Sequence, residues 1–305
     1  MATGDRPRPG TGDAGYRGDP LHIEINGARL FFDTVGSKLA VGEDRMIERP
    51  TLLVMHGGPG FDHALMRPYF DRFADTHQVV FVDHRGNGRS TGEPDTWTLD
   101  QWGDDIHTFC QALGIERPAV YGLSFGGMVA MSYAARHPEA PSRLVLASTA
   151  GRMDLEATYA AMERLGGPDA RRIAEAFWAA PDTDIASQYM SVCMPLYNPG
   201  GAMRAAARDR AIMRQDVMFH FIGGEQREMD LLGGLSAVQC PTLVLAGGLD
   251  PITPVSCSEA IFAALPTGIA ELVVFGDAGH GVHRDQPDRA EAVLRRFLNA
   301  DGPAG

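Results

Sequence analysis

A serine hydroxyl becomes a nucleophile when a histidine takes its proton and a carboxylate orients that histidine. The residues of this chain best placed to do so begin with Ser124. It stands in Gly122-Leu123-Ser124-Phe125-Gly126-Gly127, after the short apolar run 118–121 and before a helical pattern that begins at Met128 and stops at His137-Pro138. A serine between glycines at a strand-to-helix junction is the nucleophile-elbow pattern. So sharp a turn forces the serine into a strained backbone conformation, and glycines at 122 and 126 remove side chains that would collide there. The helix that follows aims its N-terminal N–H groups and dipole at Ser124. The chain holds 36 glycines, enough for a G-x-S-x-G to arise by chance, so the flanking strand and helix carry the reading.

The order expected for such a fold is nucleophile, acid, histidine, with each group just past a strand at the carboxyl edge of the sheet. Asp250, in Gly247-Gly248-Leu249-Asp250-Pro251, follows a strand over 242–246. His280, in Gly276-Asp277-Ala278-Gly279-His280, follows a strand over 271–275. Asp277 shares the histidine's own turn and suits shaping that turn. His283 is displaced one turn further. The strand ending near Ala147 is followed by Ser148-Thr149-Ala150, which offers no carboxylate. Acyl transfer also needs two N–H donors for the developing oxyanion. One is expected from Phe125, just past the nucleophile. The other is expected from Gly58 in His56-Gly57-Gly58-Pro59-Gly60 rather than from Gly57, and Pro59 has no N–H. The loop lacks P-loop and G-x-G-x-x-G spacing, and His280-x-x-His283 lacks further ligands, so neither a metal nor another cofactor is expected.

These groups need a scaffold, and the chain supplies alternating elements. A hairpin turns at Asn26-Gly27, and residues 36–50 read as loop. Buried strands are expected at 51–55, 78–82 and 143–147, with helices at 66–74, 99–113 and 288–298. Strands alternating with helices at this spacing mean an α/β fold with a mostly parallel, doubly wound sheet. The alternation breaks over 153–235, which reads as helical and strandless. The expected organisation is a disordered tail over 1–19, a core of 20–150 and 237–305, and a helical lid over 151–236.

The 305 residues carry 27 basic and 39 acidic side chains, a net charge of −12. That excess argues against nucleic acid or an anionic membrane as partner. Four cysteines without paired spacing read as buried free thiols in a reducing compartment. The N-terminal stretch lacks an apolar signal region and no run approaches a membrane span, so the expectation is a cytoplasmic protein acting on a small molecule or short peptide.

His56-Gly57-Gly58-Pro59-Gly60, Asp83-x-Arg85-Gly86-x-Gly88-x-Ser90 and the Ser124 elbow together resemble the α/β-hydrolase fold and, more narrowly, its proline iminopeptidase branch. The resemblance covers residues 52–147 and 241–298. It implies a Ser124–Asp250–His280 triad and a serine hydrolase working through an acyl-enzyme, with proline-iminopeptidase-like aminopeptidase activity first among its substrates. Asp83, Arg85 and Ser90 read as pins of their turn. In that branch, lid carboxylates receive the substrate's ammonium, which makes Glu225 and Glu228, with Asp230, the candidate substrate-binding groups. One departure stands out: iminopeptidases commonly carry Gly-Gly-Ser-Trp-Gly where this chain has Gly122-Leu123-Ser124-Phe125-Gly126. The pentapeptide also occurs in relatives that cleave esters, amides or lactones, so a carboxylesterase or lactonase is the alternative. A binding protein that kept the fold would be expected to show damage at these positions, and none is visible. Lid-mediated dimers are common in the fold, which leaves room for a homo-oligomer.

Overall fold

The structure, a computed structural model, describes residues 21–199 and 209–300. The tail expected over 1–19 lies outside the described residues. The chain enters the fold through a hairpin of β1 (His22–Ile25) and β2 (Ala28–Val35). Its two turn residues, Asn26 and Gly27, both have positive φ, 46° and 73°, the conformation that matches hairpin twist. Residues 36–50, expected as loop, instead hold a separate small hairpin, β3 (Leu39–Val41) paired with β4 (Met46–Glu48). Its apolar side chains face solvent, Val41 at 87% exposure, so no burial pattern marks it in the sequence.

Six strands then build the parallel part of the sheet: β5 (Thr51–Met55), β6 (Gln78–Val82), β7 (Ala119–Leu123), β8 (Arg143–Ala147), β9 (Thr242–Gly247) and β10 (Ala270–Phe275). The spatial order is β1-β2-β6-β5-β7-β8-β9-β10, with the β1–β2 and β2–β6 pairs antiparallel and the remaining pairs parallel. Every residue of β5, β7 and β9 is buried, as a strand covered on both faces must be.

One face packs on α1 (Leu99–Ala112), α2 (Phe125–Arg136) and α6 (Val255–Ala264), through side chains such as Trp102, Phe109, Met131 and Ile261. The other is covered by Phe70 and Phe73 and by Leu294 and Leu298 of α8 (Pro287–Leu298). The single helix expected over 66–74 is two 3-10 turns, His63–Met66 and Tyr69–Asp75. Pro68 divides them because it has no N–H to continue a helix.

Between β8 and β9 the described residues form helices and no strand. α3 (Leu155–Ala179) is broken at Gly167-Pro168, where Gly167 has φ 77°. It is followed by α4 (Thr183–Val192), a 3-10 turn at Met194–Tyr197 and α5 (Gln215–Gly223). This insert has its own apolar cluster around Phe177, Trp178, Tyr189 and Met218. It is rooted in the main core by Phe221, whose ring lies 5.1 Å from Phe125 and 5.5 Å from Trp102.

The loop after β6 is held by buried ion pairs. Asp83 accepts hydrogen bonds from the His63 N–H at 2.9 Å, from His63 Nδ1 at 2.7 Å and from the Arg89 N–H at 3.0 Å. Arg85 grips Asp105 of α1 through Nε at 2.6 Å and Nη2 at 2.7 Å, a bidentate pair. Ser90 Oγ donates to the Asp83 carbonyl and accepts the Phe31 N–H. All four cysteines are free and buried, and burial raises the Cys110 thiol pKa to about 12 and that of Cys240 to about 11. No helix among the described residues is long and apolar enough to cross a membrane.

Candidate active site

Ser124 occupies the turn between β7 and α2 with φ 53° and ψ −117°, a region that a residue with a Cβ enters only at a cost of about 1–3 kcal/mol. The surroundings hold it there. Its N–H donates to the Ala147 carbonyl at 2.9 Å, and its own carbonyl accepts from Gly127 N–H at 2.8 Å and from Thr149 Oγ1 at 2.7 Å. The β5 backbone runs so close to α2 that a Cβ on Gly126 would sit 2.5 Å from the Met55 carbonyl oxygen. Only glycine lets the helix begin there.

At the end of β10, His280 places Nδ1 2.9 Å from Asp250 Oδ2. A carboxylate accepts, so the ring proton sits on Nδ1 and Nε2 is left as the basic nitrogen. Asp250 is 3% exposed and fully engaged. Its Oδ1 accepts the Ile252 and Thr253 N–H groups at 2.8 and 3.1 Å, and Thr253 Oγ1 donates to Oδ2 at 2.8 Å. The insert reaches the same turn from above: the Tyr197 carbonyl accepts the His280 N–H at 2.7 Å, and the two rings meet edge-on at 5.3 Å. Asp285 Oδ2 joins the two layers by accepting from Gly279 N–H at 2.7 Å and Asn198 Nδ2 at 3.0 Å.

Ser124, His280, Gly58 and Phe125 all line one cavity, which lies between the sheet edge and the insert and holds about 1220 Å³ of empty space with its open mouth included. Gly58 has φ 68°, and a Cβ there would strike the Phe61 ring at 2.5 Å. Phe125 is the first residue of α2, so its N–H has no helical acceptor behind it. Gly58 and Phe125 thus reach the cavity that Ser124 lines from two different elements, the turn after β5 and the start of α2.

The walls are apolar: Met153, Phe177, Met190, Met194 and Met218 come from the insert, and Phe61, Leu65 and Met128 from the core. No carboxylate side chain lines the cavity among the described residues. Glu225 and Glu228 are not brought to it. Burial raises the Glu225 pKa, and its carboxylate accepts the Leu99 N–H at 2.8 Å, where it caps the start of α1. Glu228 is exposed, and Asp230 pairs with Arg152 at 3.5 Å on the surface. The rivals to the acid and base also lie elsewhere. Asp277 accepts from Gln286 Nε2, and His283 is packed between Tyr69 and Phe70 with both ring nitrogens unpartnered.

Several residues of the site escape sequence reasoning. Thr253 and Thr149 have no motif, and Tyr197 lies 83 positions from the histidine it supports. Arg284 is a charged side chain in the cavity wall, where its Nη2 donates to the Leu65 carbonyl at 3.4 Å. Its one sequence signal is its position, a turn of helix beyond His280. Asp62, His63 and Asp83 bring ligand-type atoms within 4.8 Å of one another. Arg89 Nη1 sits 2.8 Å from Asp62 Oδ2 and His63 Nδ1 is bound to Asp83, so the oxygens and nitrogen a cation would need are already engaged within the protein.

A sequence profile of the alpha/beta hydrolase fold family matches residues 50–287. The chain belongs to this family, and is a hydrolase of that class. It is 27% identical over 262 residues to RutD from Caulobacter sp., provisionally named a carbamate hydrolase, a match over 82% of this chain and 91% of that one. It is 26% identical over 287 residues to the proline iminopeptidase PfmaB of Pestalotiopsis fici, over 90% and 98% of the two chains. The crystal structure of proline iminopeptidase from Mycobacterium smegmatis superposes with a TM-score of 0.71 at 21% identity, covering 92% of this chain and 97% of that one. The likeness to the iminopeptidase branch therefore holds in sequence and in fold.

Proposed function

We propose that the protein is a serine hydrolase that works through an acyl-enzyme on a small ester or lactone. His280 Nε2 takes the Ser124 proton as Oγ attacks the carbonyl carbon. Asp250 holds the imidazole in the Nδ1–H tautomer and stabilises the imidazolium that forms. The Phe125 and Gly58 N–H groups bind the oxyanion. Collapse expels the alcohol or phenol, which leaves with the proton from His280. The histidine then activates water, whose hydroxyl adds to the acyl carbon, and Ser124 leaves with the proton. The observation that carries this reading is the His280–Asp250 hydrogen bond at 2.9 Å in the wall of the cavity that Ser124 also lines.

Preference for an ester over a peptide rests on the cavity lining. An aminopeptidase must neutralise the substrate's ammonium, and the described lining offers it no carboxylate. A second reading, an aminopeptidase that removes N-terminal proline, is favoured by the His56–Gly60 pentapeptide and by the likeness to PfmaB.

The test sets a 4-nitrophenyl short-chain ester beside a proline arylamide with a free amine, with Ser124→Ala as blank. Ester turnover that falls by about 10⁴- to 10⁶-fold in kcat in the blank is expected. Arylamide turnover abolished by N-acylation of the proline would instead establish the aminopeptidase. Wild-type turnover retained in Ser124→Ala would sink both.

A further inference from the structure

We propose that Arg284 is the anchor for a carboxylate on the substrate, so that the enzyme selects esters or lactones bearing an anionic group some distance from the scissile bond. The assignment rests on the hydrolase reading above and deepens it.

Arg284 belongs to α7 (Val282–Asp285), the turn that leads away from His280. It lines the cavity along with Phe61 and Leu65 of the core, and its side chain stands next to Asn198 of the insert, since a Cβ on Gly281 would meet Arg284 Cδ at 3.1 Å and Asn198 Nδ2 at 3.2 Å. Within the protein its guanidinium has little to hold. One N–H reaches the Leu65 carbonyl at 3.4 Å, a long bond for one of five donors. No carboxylate oxygen of the described residues lies within ion-pair distance of it, whereas the buried Arg85 and the half-buried Arg67 each have one. Asp285, next in the chain, spends an oxygen on Gly279 and Asn198. Around the guanidinium on the protein side, the Tyr121 hydroxyl and both His283 nitrogens are buried without partners, so no anion is supplied from there. Burial pulls the Arg284 pKa down, and Tyr121 and the Asp285 carboxylate oppose it only in part, yet from so high a starting value an arginine stays charged.

A guanidinium in a cavity wall with no ion-pair partner among the described residues is costly to keep unless something that enters carries the opposite charge. The cavity walls are mostly apolar, which strengthens a pair formed there. Arginine's flat fork suits a carboxylate, and an incoming ammonium would be repelled.

The test uses 4-nitrophenyl hemiesters of glutaric, adipic and pimelic acids, each beside its isosteric ω-carboxamide ester, with the Ser124→Ala rate subtracted. For at least one chain length the wild-type enzyme is expected to favour the carboxylate on the order of 10- to 100-fold in kcat/KM, chiefly through KM. Arg284→Gln should bring that ratio to about one, and Arg284→Lys should keep part of it, since charge without the fork remains. A wild-type ratio at or below one at every length, or a ratio that Arg284→Gln leaves as it was, overturns the assignment. Absence of any Ser124-dependent turnover would strike the hydrolase reading instead. Calorimetry of adipate against adipamide with full-length Ser124→Ala then decides the question without an Arg284 variant. Selective binding of the diacid supports the anchor, and equal or absent binding of the two overturns it.

Discussion

Ser124, Asp250 and His280 are each held by neighbours that no short motif contains. Asp250 illustrates the division: its place after a strand is readable, but the Thr253 hydroxyl and the two backbone N–H groups that fix its carboxylate are not. His283 shows the opposite, a titratable residue with no partner. Burial first, and then the charge of Arg284, press its pKa well below 6.5. The folded state therefore takes up a proton less readily than the unfolded chain, in which the pKa is near 6.5. The stability associated with a neutral His283 is complete above pH 6.5 and is lost as pH falls toward the depressed folded value. His283→Phe, an apolar ring of similar size among Tyr69 and Phe70, should flatten that dependence. Urea unfolding of both proteins at pH 7.5 and 5.5 checks it: the wild-type loss between the two pH values should exceed the variant's, and equal losses would refute the assignment.

At the scale of elements, the insert and the histidine loop behave as one joint. A Cβ on Gly279 would fall on the Tyr197 carbonyl, the group that accepts the His280 N–H. Gly279→Ala should displace either the 3-10 turn at Met194–Tyr197 or the His280 loop. A shift of about 1 Å at a catalytic base costs up to about 100-fold in rate, so kcat on the ester should fall 10- to 100-fold while circular dichroism stays native. Wild-type kcat in this variant would show that the joint does not position the base. The strands after which Ser124 and Asp250 stand were legible because short, nearly continuous apolar runs mark strands covered on both faces, and the half-buried edge strand before His280 was legible from its shorter run Leu272–Phe275. The small hairpin at Leu39–Val41 and Met46–Glu48 was not, because it buries too little to leave a pattern.

For the molecule as a whole, the question is whether the insert folds as a unit of its own. It has an apolar cluster, but Phe221 and Val217 of α5 belong to the main core beneath it. Phe221 meets Phe125, the residue that follows the nucleophile. Phe221→Ala should thus destabilise the entire chain by about 3–5 kcal/mol, the usual cost of a large aromatic deletion in a core, in a single cooperative transition. Two separated transitions in chemical unfolding, with the insert melting first, would show an independent lid. The shared root also means that packing changes in the insert reach Phe125, at the start of α2, directly.

Taken alone, the sequence determined the fold class, the strands and the residues that stand at their carboxyl ends, because periodic burial and glycine-dependent turns are local properties. Those same local properties marked Ser124, Asp250 and His280. What lines the cavity was decided only by the tertiary structure. Glu225 and Glu228 lie close in sequence to Gln226, which lines the cavity, yet one caps α1 and the other faces solvent. Arg284, in no motif, stands in the wall with no ion-pair partner among the described residues. Which charges face a substrate depends on how distant elements pack and on which acidic groups are already engaged elsewhere, and chain order does not record that.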